Sequence, residues 1–152
     1  MSDSNAKPAV LAMLAARLAD TIDLALIAKQ AHWNVKGATF IAVHEMLDDL
    51  RKDVDEYVDT IAERMSALGA SPQGTVQAVA EKSSLPPYPT DLRRIEDHLR
   101  ALVERYRAVA DAVRRDVDST GAAGDALTAD VFTEVGRGLD KWLWMLESHL
   151  QH

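Results

Sequence analysis

Apolar residues at three- and four-residue steps in the second quarter of the chain constrain its fold more than any other sequence feature. The positions are Val43, Leu47, Leu50, Val54, Tyr57, Ile61, Met65 and Leu68. This spacing predicts one long amphipathic helix that follows a turn at Gly37. Because the apolar stripe is the core face of that helix, the sequence predicts a protein built from packed helices.

Four polar residues share another face of the same helix, roughly 150° around it from the apolar stripe. They form two pairs at a four-residue spacing, His44 with Asp48 and Asp59 with Glu63. A charged helix face is most often merely solvated. Here the spacing favours a metal site, because side chains four residues apart on a helix can converge on one ion.

The two pairs lie too far apart to bind the same ion within one chain. Asp48 and Asp59 are eleven residues apart, which corresponds to about 16 Å along a helix. In an antiparallel pair of identical helices, residues whose numbers have a constant sum face each other across the two-fold axis. The numbers of Asp48 and Asp59 have the same sum as those of His44 and Glu63. The sequence therefore predicts that two chains together complete each site.

His32 is predicted to be a fifth ligand. It precedes the turn and is as far from Ala38 as His44 is, so a helical hairpin brings the two histidines level. A lone histidine near a helix end is more often structural. Together with the carboxylates, however, the two imidazoles make a ligand set suited to Fe(II), with zinc or manganese as competitors.

The same residues carry a resemblance to a known family, the Dps miniferritins. The segments AHWNVKG, FIAVHEMLDDL and DTIAER resemble the family signature, and the similarity extends through PPYPTDLRRIEDHLRAL and LDKWLWMLES. The family pattern is a histidine, a second histidine twelve residues later, then Asp, Asp and Glu after four, eleven and four more residues. It falls on His32, His44, Asp48, Asp59 and Glu63.

The resemblance implies a ferroxidase centre between two-fold-related subunits of a hollow homododecamer. Such an assembly oxidises Fe(II), preferably with hydrogen peroxide, and stores ferric mineral inside, which protects DNA. It also implies that Trp33 is an electron donor beside the site, although packing is the commoner role of a large aromatic residue. Finally, it makes Asp125, Asp130 and Glu134 candidates for an acidic three-fold pore, whereas a helix dipole alone would favour acids there.

The remaining pattern predicts an all-α, ferritin-like four-helix bundle with a short helix in the long crossover between helices two and three. A single domain is expected over residues 1–152, with a short flexible tail at residues 1–8. The first helix is predicted to begin between residues 6 and 9 and to end near Trp33. The crossover contains LGASPQG, a short helix in TVQAVAEKS, and SLPPYP. Thr90 or Asp91 should cap the third helix, STGAAGD should form a loop, and Thr128 should start the fourth helix.

Several residues outside the metal pattern also carry predictions. His98 has no second ligand four residues away and is predicted to be solvated. The pair Arg114 and Arg115 is predicted to form solvated surface or salt bridges between subunits. Gly136 and Gly138 lie inside the fourth helix, where each costs about 1 kcal/mol relative to alanine, so they predict close backbone packing.

The composition sets limits on location and partners. The chain has 152 residues and a net charge of −7, with 47% hydrophobic residues, 27% charged residues and no cysteine. These values are typical of a water-soluble globular chain, and the lack of cysteine favours a reducing cytoplasm. No membrane-spanning run or signal peptide is expected. The family resemblance allows association with the nucleoid.

Two other functions compete with the ferroxidase interpretation. Many relatives in the resembled family condense DNA through a lysine-rich N-terminal tail, so a nucleoid protein is the main alternative. Here the tail contains a single lysine, Lys7, together with Asp3, and the negative net charge repels phosphate. Direct DNA binding is therefore expected to be weak. A structural helix bundle with a charged dimer face is the third interpretation, and it would show no metal dependence.

Overall fold

The computed structural model describes residues 6–150, and these residues form five α-helices. They are α1 (Ala6–Asn34), α2 (Phe40–Ala67), α3 (Val76–Lys82), α4 (Ile95–Ala122) and α5 (Ala126–Ser148). Within the described residues, β structure is limited to one isolated bridge between Lys36 and Arg94. Residues 1–5 of the predicted flexible tail lie outside the described part, whereas residues 6–8 already belong to α1.

The four long helices pack as two hairpins, α1 with α2 and α4 with α5. Helix α1 also packs against α4, and α2 packs against α5, so the two hairpins form one bundle. Residues 68–94 make the long connection between the hairpins, and α3 lies within it and contacts α1. This arrangement confirms the predicted all-α, ferritin-like bundle with a short helix in its crossover.

The apolar stripe of α2 faces the interior as predicted. Val43, Leu47, Leu50, Val54, Ile61 and Met65 are buried, and Tyr57 and Leu68 are half-buried against the core. Apolar residues of α1, α4 and α5 complete this core. Tyr106 is fully buried among them and donates its hydroxyl to the Leu24 carbonyl at 2.9 Å. Its one polar side-chain atom is therefore satisfied inside the bundle.

Close packing requires only one of the two glycines that the sequence places inside the fourth helix. A side chain at Gly138 would place its first carbon 2.0 Å from the Tyr57 hydroxyl, so the Tyr57 ring packs against the α5 backbone only because that carbon is absent. At Gly136 the nearest atom would belong to Val113, at 3.4 Å. Because that is an ordinary contact distance, the predicted close packing is confirmed at Gly138 and wrong at Gly136.

Helix α4 begins later than predicted. Its first residue is Ile95, so neither Thr90 nor Asp91 caps it. The preceding residues are instead bound to the α1–α2 turn. The Lys36 N–H donates to the Arg93 carbonyl at 2.8 Å, and the Ile95 N–H donates to the Lys36 carbonyl at 3.2 Å. These two long-range bonds hold the chain extended where helical periodicity continues in the sequence.

Helix α4 also ends later than predicted. The segment STGAAGD was expected to be a loop, but it is helical through Ala122. Thr120 is buried there and donates its hydroxyl to the carbonyl four residues earlier at 2.7 Å, which makes a polar side chain compatible with the helix. The turn consists of residues 123–125, with Gly124 at φ +83°. Asp125 caps α5, which begins two residues before the predicted Thr128.

His98 is buried, so the prediction that it is solvated is wrong. Its Nε2 donates to the Leu92 carbonyl at 3.0 Å, and its Nδ1 accepts from the Tyr88 hydroxyl at 2.6 Å. A carbonyl can only accept, so Nε2 carries the proton. Burial lowers the pKa of His98 below the ordinary histidine value. Both partners come from the crossover, and the four-residue spacing along α4 gives no sign of them.

Buried polar side chains hold the crossover against the bundle. Arg105 on α4 donates to the carbonyls of Pro86 and Pro87, at 3.3 Å and 2.8 Å. Just before these prolines, the N–H and the hydroxyl of Ser84 donate to buried Asp20 on α1, at 2.8 Å and 2.9 Å. The crossover is therefore bound to both α1 and α4.

The arginine pair on α4 lies on the surface, as predicted. Arg114 and Arg115 are exposed, and Arg114 donates to Asp140 on α5 at 2.5 Å. This arginine pair therefore forms part of the solvated surface of α4. Across residues 6–150, every helix is too short or too polar to cross a membrane.

Candidate metal centre

The hairpin of α1 and α2 brings His32 and His44 together, as the sequence predicts. Their rings stack with centroids 3.7 Å apart and planes 13° from parallel. Each ring also contacts the backbone of the other residue. His32 Nδ1 lies 2.6 Å from the His44 carbonyl oxygen, and His44 Nδ1 lies 2.8 Å from the His32 carbonyl oxygen. This reciprocal pair of bonds fixes both rings across the hairpin.

These contacts leave the other nitrogen of each ring available to a metal. Because a carbonyl oxygen only accepts, Nδ1 of each histidine must carry the proton. In the neutral ring, Nε2 then holds a free lone pair. A backbone carbonyl on one ring nitrogen is the usual means of orienting a metal-binding histidine. His32 and His44 are both half-buried, so their Nε2 atoms belong to side chains that are oriented but still accessible.

Asp48 lies one turn after His44 and contacts a cation of its own chain. The Lys29 ammonium, on α1, donates to Asp48 Oδ1. This hydrogen bond is the main reason why the pKa of Asp48 is lowered, and the Lys29 charge adds to the effect. Asp48 and both histidines line an open groove of about 560 Å³. Its complete lining is His32, Ile41, His44, Glu45, Asp48 and Asp49. The groove thus contains two oriented imidazoles and an ionised carboxylate.

Asp59 and Glu63 form the second group, further along α2. Both side chains are exposed. Hydrogen bonding to the Asp59 carboxyl raises the pKa of Glu63, and the negative charge of Asp59 acts in the same direction. The two acids therefore repel each other when both are ionised. A bound cation would remove that repulsion, which makes this pair chemically suited to a metal.

The two groups do not meet within one chain. Among the described residues 6–150, no three histidine or acidic side chains converge closely enough to hold an ion. The sequence predicts the separation of the two groups, since it places Asp48 and Asp59 on one helix at well over bonding distance. Within the first group, His32, His44 and Asp48 line one groove but do not lie close enough together to hold an ion by themselves. That a second chain brings the groups together stays a prediction.

Trp33 follows His32 but does not pack into the core of its own chain. Its side chain is 68% exposed. The packing role, for which one subunit offers no core contact, therefore stays a prediction. Ile41 is likewise exposed, so this end of the hairpin carries apolar side chains next to the histidines. The electron-donor role of Trp33 stays a prediction.

The three acids near the start of α5 differ in what they contact. Asp125 accepts from the Thr128 N–H at 2.9 Å and from its hydroxyl at 2.7 Å, and it pairs with Arg64 at 3.3 Å. Burial alone would raise the pKa of Asp125, but the Thr128 hydrogen bonds and the Arg64 charge lower it overall. Asp130 and Glu134 are exposed. Asp125 is therefore a helix cap with occupied oxygens, as the simpler interpretation predicted.

Sequence reasoning missed Lys29 and Arg64. Lys29 stands three residues before His32, so it lies on the same face of α1. That spacing could have indicated a cation beside the site. The Arg64 side chain follows Glu63 and reaches both Asp125 and Thr128 on α5. No short-range pattern indicates these contacts, because Asp125 and Thr128 follow Arg64 by 61 and 64 positions in the chain.

Comparison with known proteins agrees with the helical bundle. Residues 11–152 match the ferritin-like domain family. The DNA protection during starvation protein of Agrobacterium fabrum is 53% identical over 97% of this chain and 91% of its own. The fine tangled pili major subunit of Haemophilus ducreyi is 38% identical over 90% of this chain and 71% of its own. A tetragonal structure of Mycobacterium smegmatis Dps superposes with a TM-score of 0.94 at 31% identity, over 99% of this chain and 92% of that one.

Two hairpins joined by a long crossover, together with the match to residues 11–152, define a ferritin-like protein. The high identity to a DNA protection during starvation protein extends over nearly the whole chain. Within the ferritin-like class, the chain belongs to the Dps family.

Proposed function

We propose that this chain is the subunit of a miniferritin that oxidises Fe(II) and stores the ferric product. The observation that carries this proposal is the reciprocal pair of bonds between His32 and His44. In the neutral rings they leave the Nε2 lone pairs free, beside the ionised carboxylate of Asp48. Neutral nitrogen with carboxylate oxygen is a donor set suited to Fe(II) as substrate, with zinc and manganese as competitors.

The site is proposed to form between two chains. His32, His44 and Asp48 of one subunit would face Asp59 and Glu63 of a second subunit across a two-fold axis. Two features support this arrangement. The equal number sums pair these residues across such an axis, and the members of both groups that belong to α2 lie on the face that is not buried in the bundle. Twelve such subunits are proposed to form a hollow shell, as the family resemblance implies.

Hydrogen peroxide is the proposed oxidant. Two Fe(II) ions each give one electron to the peroxide, its O–O bond breaks, and two water molecules supply the remaining oxygen. The products are two FeOOH units and four protons. The carboxylates of Asp48, Asp59 and Glu63 supply the negative charge that favours the ferric product over the ferrous substrate. Trp33, which is exposed beside His32, is proposed to donate an electron when an oxidising species persists.

DNA protection is proposed to follow from this chemistry rather than from tight DNA binding. Removing Fe(II) and peroxide together removes both reactants that generate hydroxyl radicals. The net charge of −7 opposes binding to phosphate. Four exposed arginines are also paired with acids, as Arg94–Glu96, Arg100–Asp97, Arg107–Glu147 and Arg114–Asp140. A nucleoid protein that condenses DNA directly remains the alternative function, and tight DNA retention in the presence of a chelator would establish it.

Iron titration tests the ferroxidase proposal. The protein is first titrated with Fe(II) without oxygen, and peroxide is then added while ferric absorbance is followed. We expect binding before oxidation and rapid, peroxide-dependent absorbance. The variant Asp59→Asn/Glu63→Gln should lose both signals. The matched control Glu104→Gln/Asp111→Asn removes the same charge from exposed positions on α4 and should retain them. Equal oxidation rates in both variants would contradict the proposed site.

A further inference from the structure

We propose that Lys29 is a resident counter-ion of the metal half-site, and that it keeps iron binding transient. Its ammonium holds Asp48 while no metal is bound and must release that carboxylate before Asp48 can bind a metal ion. The inference rests on the proposed function, because it assigns a role to a residue beside the proposed ligands. Lys29 is a positioning residue in this scheme, since it acts through Asp48.

The position of Lys29 supports this role. It lies on α1, one turn before His32, and its ammonium contacts Asp48 Oδ1 on α2. The side chains of Lys29 and Asp48 are 28% and 36% exposed. In the single subunit, both groups are therefore reachable by an ion that enters the groove. Glu45 and Asp49 also line the groove and are exposed, whereas the salt bridge of Lys29 is with Asp48.

A merely structural role for the Lys29–Asp48 pair explains less. Many buried apolar residues already hold α1 and α2 together, including Ala28 and Leu47. One turn further along α2, Arg51 also ties the two helices by donating to the Ala25 carbonyl at 3.2 Å. A partly exposed ion pair typically adds less than about 1 kcal/mol to folding. The hairpin therefore does not depend on the Lys29 charge.

The consequence for metal binding follows from charge. A divalent ion that takes Asp48 as ligand must first break the contact with Lys29, which lowers the affinity. The displaced ammonium stays tethered to α1 within reach of the groove, where it repels the bound cation. This repulsion is stronger for Fe(III) than for Fe(II), since it scales with the charge of the ion. Lys29 would therefore favour passing the ferric product on to the mineral.

Anaerobic Co(II) binding tests the inference without catalysis. Co(II) is titrated into the assembled protein in competition with a chromophoric chelator, and its visible absorption is followed. Replacing Lys29 by methionine keeps most of the side-chain length and removes the charge. We expect Lys29→Met to bind Co(II) about tenfold more tightly, with the difference shrinking at high salt. Lys29→Arg, which keeps the charge, and Lys82→Met, a distant exposed control, should bind as the wild type does.

A second readout follows the product. After one round of oxidation and passage over a chelating column, Lys29→Met should retain more ferric iron per subunit than the wild type. Thermal unfolding and oligomer size, measured on each variant, show whether the fold is kept. If Lys29→Met assembles poorly, Lys29→Gln provides the same neutralisation with a polar side chain.

The outcomes separate this inference from the proposed function. Co(II) binding that Asp59→Asn/Glu63→Gln abolishes, but that neither neutral Lys29 variant tightens, would overturn the counter-ion role and leave the metal site standing. Wild-type protein that binds no Co(II) would overturn both. Tighter binding in the neutral variants and unchanged binding in Lys29→Arg would support the inference.

Discussion

His98 and the pair His32 and His44 show how differently one protein uses the same side chain. His98 is buried, and both of its nitrogens are bonded, one to the Leu92 carbonyl and one to the Tyr88 hydroxyl. The rings of His32 and His44 each use only Nδ1, on a backbone carbonyl, and stay half-buried. A histidine with both nitrogens occupied fastens the crossover, whereas a histidine with one free nitrogen can bind a metal.

The same distinction applies to the acids. Asp125 has its oxygens occupied by Thr128 and Arg64, and it caps α5. Asp59 and Glu63 are exposed and lie one turn apart on α2, where the charge of Asp59 helps to raise the pKa of Glu63. Residue type alone therefore does not identify a ligand in this protein. For the histidines, the nitrogen that stays free after local hydrogen bonding separates the proposed ligands from His98; Asp48 is proposed as a ligand although Lys29 occupies one of its oxygens.

The largest expected effect comes from removing a ring with a free nitrogen. His44→Ala should weaken Co(II) or Fe(II) binding by about a hundredfold or more, because it removes a ligand and also the bond that orients His32. Thermal unfolding should change far less, since the ring is only half-buried. Metal titration and calorimetry on the same preparation check both parts. Unchanged metal affinity would show that the free nitrogen has no binding role.

Replacing His98, whose two nitrogens are both bonded, should lower stability and leave metal binding unchanged. His98→Ala should lower the free energy of unfolding by roughly 2–3 kcal/mol, because it leaves the Tyr88 hydroxyl and the Leu92 carbonyl without their buried partner. Metal affinity should stay at the wild-type value. Urea unfolding and metal titration measure the two quantities. A large loss of metal binding in a folded His98→Ala oligomer would contradict the separation between structural and metal-binding histidines.

The lowered pKa of His98 predicts a pH dependence of stability. Burial makes the folded protein bind a proton at His98 less readily than the unfolded chain does. Below the ordinary histidine pKa of about 6.5, the unfolded state therefore takes up more protons, and stability falls as the pH falls. His98→Gln, which does not titrate, should show a shallower decline between pH 7 and 5. Equal slopes for the two proteins would show that His98 does not contribute.

The smallest expected effects concern the start of α5. Asp125→Ala should lower stability by about 1 kcal/mol, because it removes an N-cap, and should leave saturating iron oxidation unchanged. Asp130→Asn/Glu134→Gln alters exposed acids and should leave stability unchanged. If these acids line an entry pore, this double variant should slow iron uptake at low iron and low ionic strength. Stopped-flow uptake separates the two results, and unchanged kinetics would remove the pore assignment.

Sequence periodicity predicts the bundle well because most of its determinants are local. The apolar stripe of α2 and the pairing of His32 with His44 depend on helical spacing and one turn, and both are found as predicted. The start of α4 was missed because Lys36 binds the backbone at Arg93 and Ile95, a contact between distant segments. The burial of His98 was missed for the same reason, since Tyr88 reaches it from the crossover.

In the candidate site, too, spacing within one helix could be predicted from the sequence, whereas a contact between two helices could not. The positions of Asp48 relative to His44, and of Glu63 relative to Asp59, follow from helix geometry. The Lys29 contact with Asp48 joins two helices and depends on how far each side chain reaches. Spacing along the sequence places that lysine on the correct face of α1, but only the packed hairpin shows which acid it binds.

Complementation between defective chains tests the central claim, that two subunits together make each metal site. One chain carries His32→Ala/His44→Ala, and the other carries Asp59→Ala/Glu63→Ala. Each parent assembly has no intact site, because every site lacks one half. In an assembly formed by co-refolding both chains, each mixed dimer should regain one complete site out of two. We predict that peroxide-dependent iron oxidation returns in the mixed assembly and stays absent in either parent. Mixed dimers demonstrated by mass spectrometry, with no activity above the parents, would contradict the intersubunit site.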